Sequence, residues 1–284
     1  NFPKMVGDEG IYVSQAYWLA HFRTLGPYTY WYDHSPLGWA QIGLWQLLTG
    51  ATQFLGYTVL SARVLMGIVL GGTTTLLYLL TFHITKSKLS SLLSSCLYIT
   101  SALTLTFGRM VLLDNLAIFW FLLSVLLLFS HPTRLKNLIF SALTLSLGIL
   151  SKESLVFFLP PYLFSVYSQN HHNLNKKYAL LVSFITIFFV LSFFPLLAML
   201  KGELFPKLGQ VSFLGTLLFQ AERGSGIPFW QIGSHFREMV TVWGNIDPIL
   251  IILGVIATII ILFLPLAQNS KIIPIFTIFF LLFI

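Results

Sequence analysis

Residues 111–130 read VLLDNLAIFWFLLSVLLLFS, and Asp114 is their only ionisable side chain. A helix needs about 20 mostly apolar residues to span a bilayer, and a carboxylate in the first turn suits the helix dipole. The stretch is therefore expected to be a transmembrane helix. Working outward, the runs 61–82, 89–107, 136–151, 154–168, 178–200, 248–267 and 272–284 qualify or nearly do. Of these, 136–151 and 154–168 are short. All are dominated by Leu, Ile and Phe, and their charges lie near the ends. A membrane β-barrel would instead alternate apolar and polar residues over segments of about ten residues. The expected fold is all-α: a polytopic helical membrane bundle.

Composition agrees. The 284 residues are 56% hydrophobic and 9% charged, with mean hydropathy +0.84; a soluble domain carries roughly 25% charged residues. The net charge of +7 would suggest nucleic acid in a soluble protein, but no basic stretch is longer than two residues. The lone Cys96 excludes a disulfide framework and a Cys-based zinc site and is expected to act as a small core hydrophobe. No HxxxH or HExxH spacing occurs, so no metal site is legible. Gly67-x-x-x-Gly71 reads as a helix-packing pair. The chain starts at Asn1 with no signal-peptide pattern and stops at Ile284 inside an apolar run, as expected of a piece of a longer membrane protein.

The charges orient the chain. Residues 37–50 (LGWAQIGLWQLLTG) are apolar but short, and can be a span or an interfacial helix. Taken as interfacial, they leave Lys86, Lys88, Arg134, Lys136, Lys176, Lys177 and Lys271 on one side with no acid. The other side receives all nine acids and the remaining nine cations. Short basic loops face the cytoplasm, so the acids face outward. This divides the chain into a first outer loop with juxtamembrane helices (1–60), a bundle core (61–200), an outer loop (201–247) and further spans (248–284).

Chemistry-bearing residues gather in the outer segments. Asp8 and Glu9 are adjacent, hence about 100° apart on a helix, so one can face a pocket while the other is held by a cation or a helix end. A carboxylate partly desolvated at a membrane boundary suits a general base; the plain alternative is a pair of solvated loop acids. Asp33-His34 precedes Pro36. Asp33 fits as a cap for the following helix, and His34 beside it fits a proton carrier or a metal ligand. Arg109 and Asp114 bracket the start of a span, and Lys152-Glu153 occupies the next outer turn, where a cation can meet a lipid phosphate or merely snorkel. Arg223 opens RGSG, a weak anion-loop signal that equally fits a turn. Six of the seven tryptophans lie in outer segments, as an aromatic belt or as sugar-stacking surfaces.

Taken together, DEG (8–10), HSPLGW (34–39), Arg63 opening a span, FGRMVLLDNLAIFWFLLS (107–124) and LSKESLVFFLPPY (150–162) resemble a known family. They are similar to the GT-C type glycosyltransferases that use lipid-linked sugars, in the branch of dolichyl-phosphate-mannose protein mannosyltransferases and bacterial aminoarabinose transferases. The resemblance covers most of residues 1–200; Arg223, in FQAERGSG (219–226), is similar to an outer-loop arginine of that family. It implies an inverting transfer from a polyprenyl-phosphate sugar on the non-cytoplasmic side, with Asp8, beside Glu9, as general base. Arg109, Lys152 and Arg223 would offset the phosphate charge, with Asp33, His34, Asp114 and Glu153 supporting. Asp114 matches the family's second acidic position, and His34 its His-Pro motif, here interrupted by Ser35. The resemblance implies no obligatory metal or other cofactor. Its partners would be the lipid-linked donor, membrane lipids and an acceptor that is a protein, lipid or glycan; nucleic acid is not among them. The family's first span and its outer C-terminal domain are not seen in these residues, so this piece is expected to be inactive alone. The competing reading, a transporter or flippase of a lipid-linked sugar, should show midplane charges and internal repeats, and neither is evident.

Overall fold

The computed structural model describes residues 7–27, 29–50, 53–54, 59–131, 134–169, 176–207, 210–222 and 235–263. Among them every regular element is a helix, apart from an isolated bridge between Lys207 and Gln210. In chain order the helices are α1 (Gly7–Phe22), α2 (Leu37–Thr49), α3 (Val59–Thr85), α4 (Lys88–Thr100), α5 (Ala102–Phe107), α6 (Leu113–Ser130) and α7 (Leu135–Ser151). A 3-10 turn (Glu153–Phe158) leads into α8 (Leu159–Gln169), followed by α9 (Lys176–Leu200), α10 (Phe213–Glu222), α11 (His235–Ile246) and α12 (Pro248–Phe263).

Three of these, α3, α6 and α9, are long and apolar enough to cross a membrane, and α7 is a shorter apolar helix. The protein is an all-α membrane bundle. Two expected spans differ in detail. The run 89–107 is broken at Ser101, whose backbone is extended (φ −58°, ψ 132°) and whose hydroxyl accepts from Thr104 N to start α5. At 1.5 Å per residue, the 13 residues of α4 reach about 20 Å, short of a hydrocarbon core of about 30 Å. The run 154–168 begins as the 3-10 turn, and Pro160 and Pro161 sit in the first turn of α8, where a missing N–H costs nothing. Between α11 and α12 the chain bends by 115°. The end of the expected span 248–267 and all of 272–284 lie outside the described residues.

The 37–50 segment forms a 13-residue helix closed by Gly50 in the left-handed region (φ 59°). It packs along α1 and rests on the ends of α3, α6 and α7. The packing requires glycine. A Cβ at Gly43 would stand 2.6 Å from the Ala16 carbonyl oxygen, and one at Gly38 would stand 2.8 Å from the Ser151 carbonyl oxygen. Gln41 then ties the layers together, donating to Ser151 Oγ (2.7 Å) and accepting from Trp120 Nε1 (2.8 Å).

Tyr12, Val13, Ala16, Trp39 and Ile42 from α1 and α2 form one core with Ala62, Met66 and Leu113 from α3 and α6. A second core joins α6 to α9 through Leu128, Leu145, Tyr162 and Ile187. Buried serines knit α6 to α7: Ser124 Oγ and Ser141 Oγ each donate to the other's carbonyl, at 2.7 and 2.8 Å. Small polar residues of this kind let membrane helices approach closely. The outward faces are apolar, as Phe184, Phe188, Phe189 and Phe193 on α9 show. Two expectations are corrected here. Cys96 is exposed on α4, not in the core, because the buried face of that helix carries Ser91 and Ser95. A Cβ at Gly67 or Gly71 would meet no neighbouring element within 4 Å; on α3 the tight contact is at Gly72, where a Cβ would stand 2.8 Å from the Phe119 ring.

These contacts distinguish two glycine substitutions. Gly43→Ala drives a methyl group into the Ala16 backbone and should destabilise the protein by about 1–3 kcal/mol. Gly67→Ala meets open space and should be neutral or stabilising by up to about 1 kcal/mol. Thermal unfolding of both variants in detergent checks this; equal melting temperatures would contradict the α1–α2 contact.

Candidate active site

The two adjacent acids at the start of α1 meet different surroundings. Glu9 is fully buried. Its Oε1 accepts from Arg63 Nε at 2.9 Å and from Val111 N at 2.8 Å, and its Oε2 accepts from an Arg63 terminal nitrogen at 2.7 Å. A fork-on-carboxylate pair is among the stronger geometries for desolvated charges, and three N–H donors offset the removal of the carboxylate from water. Asp8, one residue earlier, is exposed. Of the two expected catalytic carboxylates, Glu9 is thus the one that is held.

Glu9 also fixes the chain segment that carries Arg109. Its bond to Val111 N anchors the 108–112 connection, while Asn115 Nδ2 donates to the carbonyls of Phe107 and Met110, both at 2.9 Å. Arg109 stands exposed on this pinned connection, and Asp114 is exposed in the first turn of α6. No ion pair joins Arg109 to Asp114 among the described residues.

His34 closes a second group. Its Nδ1 lies 2.8 Å from Glu153 Oε1, and its Nε2 lies 3.5 Å from the Tyr12 hydroxyl. Lys152 Nζ stands 3.5 Å from the same Nδ1 and 3.9 Å from Glu153 Oε1. The imidazole is held edge-on by Tyr12 and Trp39, and Ser35 Oγ donates to the Ile149 carbonyl, docking the loop on the end of α7. Burial would raise the Glu153 carboxyl, but the His34 hydrogen bond and the charges of His34 and Lys152 outweigh it and hold it below its ordinary range. Tyr12 is buried one helical turn after Asp8. Burial pushes its phenol well above the ordinary range, and the charges of Asp8, Asp114 and Glu153 add to the push. Tyr12 was not among the residues expected from the sequence; its i+4 spacing from Asp8 was the available signal.

Asp33 takes a different part from the one expected. The first residue before α2 is Pro36, and no side chain caps the helix. Asp33 Oδ2 instead accepts from Thr29 Oγ1 at 2.7 Å and from Tyr30 N at 3.3 Å, closing the preceding turn. That turn presents Tyr32, which donates to Glu203 Oε2 at 2.7 Å and packs against Phe194 and Phe213. Lys201 pairs with Glu203 at 3.3 Å and lies over the Trp31 ring at 4.9 Å. The first loop and the segment after α9 are therefore joined, a contact that sequence reading did not anticipate. Arg223 lies outside the described residues. Among the described residues no group of three or more His, Cys, Asp or Glu stands together as a metal site.

The family model for dolichyl-phosphate-mannose-protein mannosyltransferase matches residues 12–201. The chain belongs to that family. As a member, it is a membrane glycosyltransferase that moves mannose from a lipid-linked donor. The matched range includes His34, Arg63, Arg109, Asp114, Lys152 and Glu153, and begins just after Asp8 and Glu9. No curated protein and no solved structure matches the chain.

Two consequences of this geometry are measurable. Arg63→Met removes two N–H donors from a fully buried carboxylate and should cost about 3–5 kcal/mol. Adding Glu9→Gln should recover part of that loss, so a double-mutant cycle with no coupling would contradict the pair. The Tyr32 hydrogen bond, then the hydrogen bond and charge of Lys201, outweigh burial and hold Glu203 below the ordinary carboxylate range. A depressed folded-state value means that this contribution is complete above the ordinary range and is lost as pH falls through the depressed value. Acidification should therefore change Trp31 emission, isolated by difference from Trp31→Phe, and Glu203→Gln should abolish that transition.

Proposed function

We propose that the protein transfers a sugar from a polyprenyl-phosphate donor to an acceptor on the non-cytoplasmic side, with Asp8 as general base. The observation that carries this reading is the division of labour between adjacent carboxylates. N–H donors of Arg63 and Val111 occupy both oxygens of Glu9 with bonds that hold the site together. Asp8 stands next to it, exposed, and is free to take a proton. Glu9 is then a positioning residue.

The reaction follows from that arrangement. An acceptor hydroxyl gives its proton to Asp8 as its oxygen attacks the anomeric carbon. The C–O bond to the lipid phosphate breaks on the opposite face, so configuration inverts. The leaving phosphate gains negative charge, which Arg109 and Lys152 offset as fixed cations, with Arg223 as a further candidate. So written, the reaction consumes no cofactor. The outward placement rests on the sequence: seven cations and no acid on one side, all nine acids on the other. In such a topology the protein is a multi-pass protein of the plasma or inner membrane. Its acceptor is a protein, in keeping with the family description. Since the chain belongs to a transferase family, the transporter reading loses its support.

Asp8→Asn tests the proposal in the membrane-reconstituted enzyme. Transfer should fall by about 10²–10⁴-fold, while binding of polyprenyl-phosphate mannose is retained. In the unsubstituted enzyme, free polyprenyl phosphate should be released only when acceptor peptide is added. Wild-type turnover by Asp8→Asn would remove Asp8 as the base.

A further inference from the structure

Among residues 108–112, which join α5 to α6, Arg109 alone is exposed; Gly108, Met110 and Val111 are buried and Leu112 is half-buried. The N–H groups on either side of it have acceptors. Gly108 N donates to Thr104 O at 2.8 Å, Met110 N to Phe107 O at 3.2 Å and Leu112 N to Met110 O at 2.9 Å, while Val111 N donates to Glu9. The Arg109 guanidinium itself makes no hydrogen bond or ion pair among the described residues. The backbone beneath the cation is bonded, and the cation is not. Two side chains hold this unit from opposite ends. Asn115 Nδ2 donates to the carbonyls of Phe107 and Met110, both at 2.9 Å, so one amide bridges the chain across Arg109 with both of its protons. At the other end Ser101 Oγ accepts from Thr104 N to start α5 and donates to Asp247 Oδ2 at 2.6 Å. Asp247 Oδ1 accepts from Leu250 N at 3.1 Å in the first turn of α12. The break between α4 and α5 and the 115° elbow between α11 and α12 therefore meet at one carboxylate. Gly108 rests on α3, where a Cβ would stand 3.1 Å from Leu70 Cδ1.

We propose that Asn115 and Asp247 are positioning residues for the donor phosphate: they fix the two ends of the unit formed by α5 and Arg109, and so set where the guanidinium meets the leaving group. The proposal rests on the reading of Arg109 as a phosphate cation. A cation stabilises a developing charge most when its scaffold does not have to rearrange during the reaction. Here the side chain keeps its own freedom until the phosphate arrives, and the scaffold beneath it is already fixed. α5 has 6 residues, about 9 Å at 1.5 Å per residue, so a shift at Ser101 is carried directly to Gly108 and Arg109. Asn115 limits the same shift from the α6 side. Asp247 is the last residue of the outer segment 201–247. That segment thus acts on the donor site through Ser101 and α5, with no contact between Asp247 and the donor required.

The test is a pair of double-mutant cycles in the membrane-reconstituted enzyme, with polyprenyl-phosphate mannose and an acceptor peptide. Asn115→Leu keeps the volume and removes both donors; Asn115→Asp keeps the shape and, once ionised, removes them too. Each should lower kcat/KM for the donor about 10- to 100-fold and leave the acceptor KM unchanged. Asp247→Ala should do the same. Arg109→Met should cost about 10²–10³-fold. In the Arg109→Met background, Asn115→Leu and Asp247→Ala should cost nothing further, because a positioning residue has no effect once the group it positions is gone. A merely structural role would leave the losses additive. Each residue is judged by its own cycle, and additive losses or a wild-type kcat/KM overturn its role. If Asn115→Leu does not fold, Asn115→Asp takes its place in the cycle. If Arg109→Met is impaired while the other variants are normal, the positioning role alone falls. If Arg109→Met turns over normally, the reading of Arg109 as a phosphate cation falls with it.

Discussion

The rest of the site depends on a buried ion pair. Glu9, Arg63 and the backbone of Val111 join the first turn of α1, the first turns of α3 and the entry to α6 through one carboxylate. Taking both charges out of water is costly, and the cost is offset only when every lone pair finds a donor. That constraint makes the geometry nearly unique: α1 cannot turn or slide without stranding an acid and an arginine together. Asp8 and Tyr12 are therefore held in register with Asp114, and the connection bearing Arg109 is fixed from its far end. A carboxylate with no freedom of its own confers order on its exposed neighbour. Such pairs contribute more to specifying an arrangement than to net stability, and here the arrangement is the chemistry.

The layer above the bundle is built for close approach. Gly38 and Gly43 let α2 lie against the Ser151 and Ala16 carbonyls, which brings the 34–36 segment onto the end of α7. Without that contact His34 would not reach Glu153, more than a hundred residues away in the chain. Hydrogen bonds tie this layer together, Gln41 with Ser151 and Trp120, Gly26 N with Gln15 Oε1, and Ser35 with Ile149, while Gln15 Nε2, Trp39 Nε1 and Gln46 Oε1 are buried with no partner among the described residues.

The spans α3, α6 and α9 were legible because hydrophobic length is a one-dimensional property. The break at Ser101 was not. Its signal is a single serine in an apolar run, and its reason is a hydroxyl that caps α5 while donating to Asp247 at 2.6 Å, a partner 146 residues later. Cys96 and the Gly67/Gly71 pair were misplaced for a related reason. In a bilayer the apolar residues can face lipid as well as core, so composition does not say which side of a helix is buried. In the site, the split between Asp8 and Glu9 could be anticipated from the helical angle, but not which acid would be held. Asp33 was read as a helix cap because Pro36 followed; the competing bonds from Thr29 Oγ1 and Tyr30 N won, since Pro36 already supplies a backbone suited to a helix start. Tyr12 and Tyr32 went unnoticed because a tyrosine in an aromatic-rich sequence carries no mark until its hydroxyl has a partner.

The same physics explains why the chemistry sits at one end of the bundle. An ionisable group within a helix that faces hydrocarbon is strongly disfavoured, so charges collect where helices end, and helix ends from distant parts of the sequence meet in one plane. In this chain α3 and α6 start, and α7 and α9 finish, where α1 and α2 lie across them. Arg63, Asp114, Lys152 and Lys201 thus reach one layer from four helices. A lipid-linked substrate enters such a layer with its phosphate at headgroup depth and its tail among apolar faces. On the proposed mechanism the site would need no deep polar cavity to bring a sugar phosphate, the cations and Asp8 together: the membrane would bound it on one side and the ends of the helices on the other.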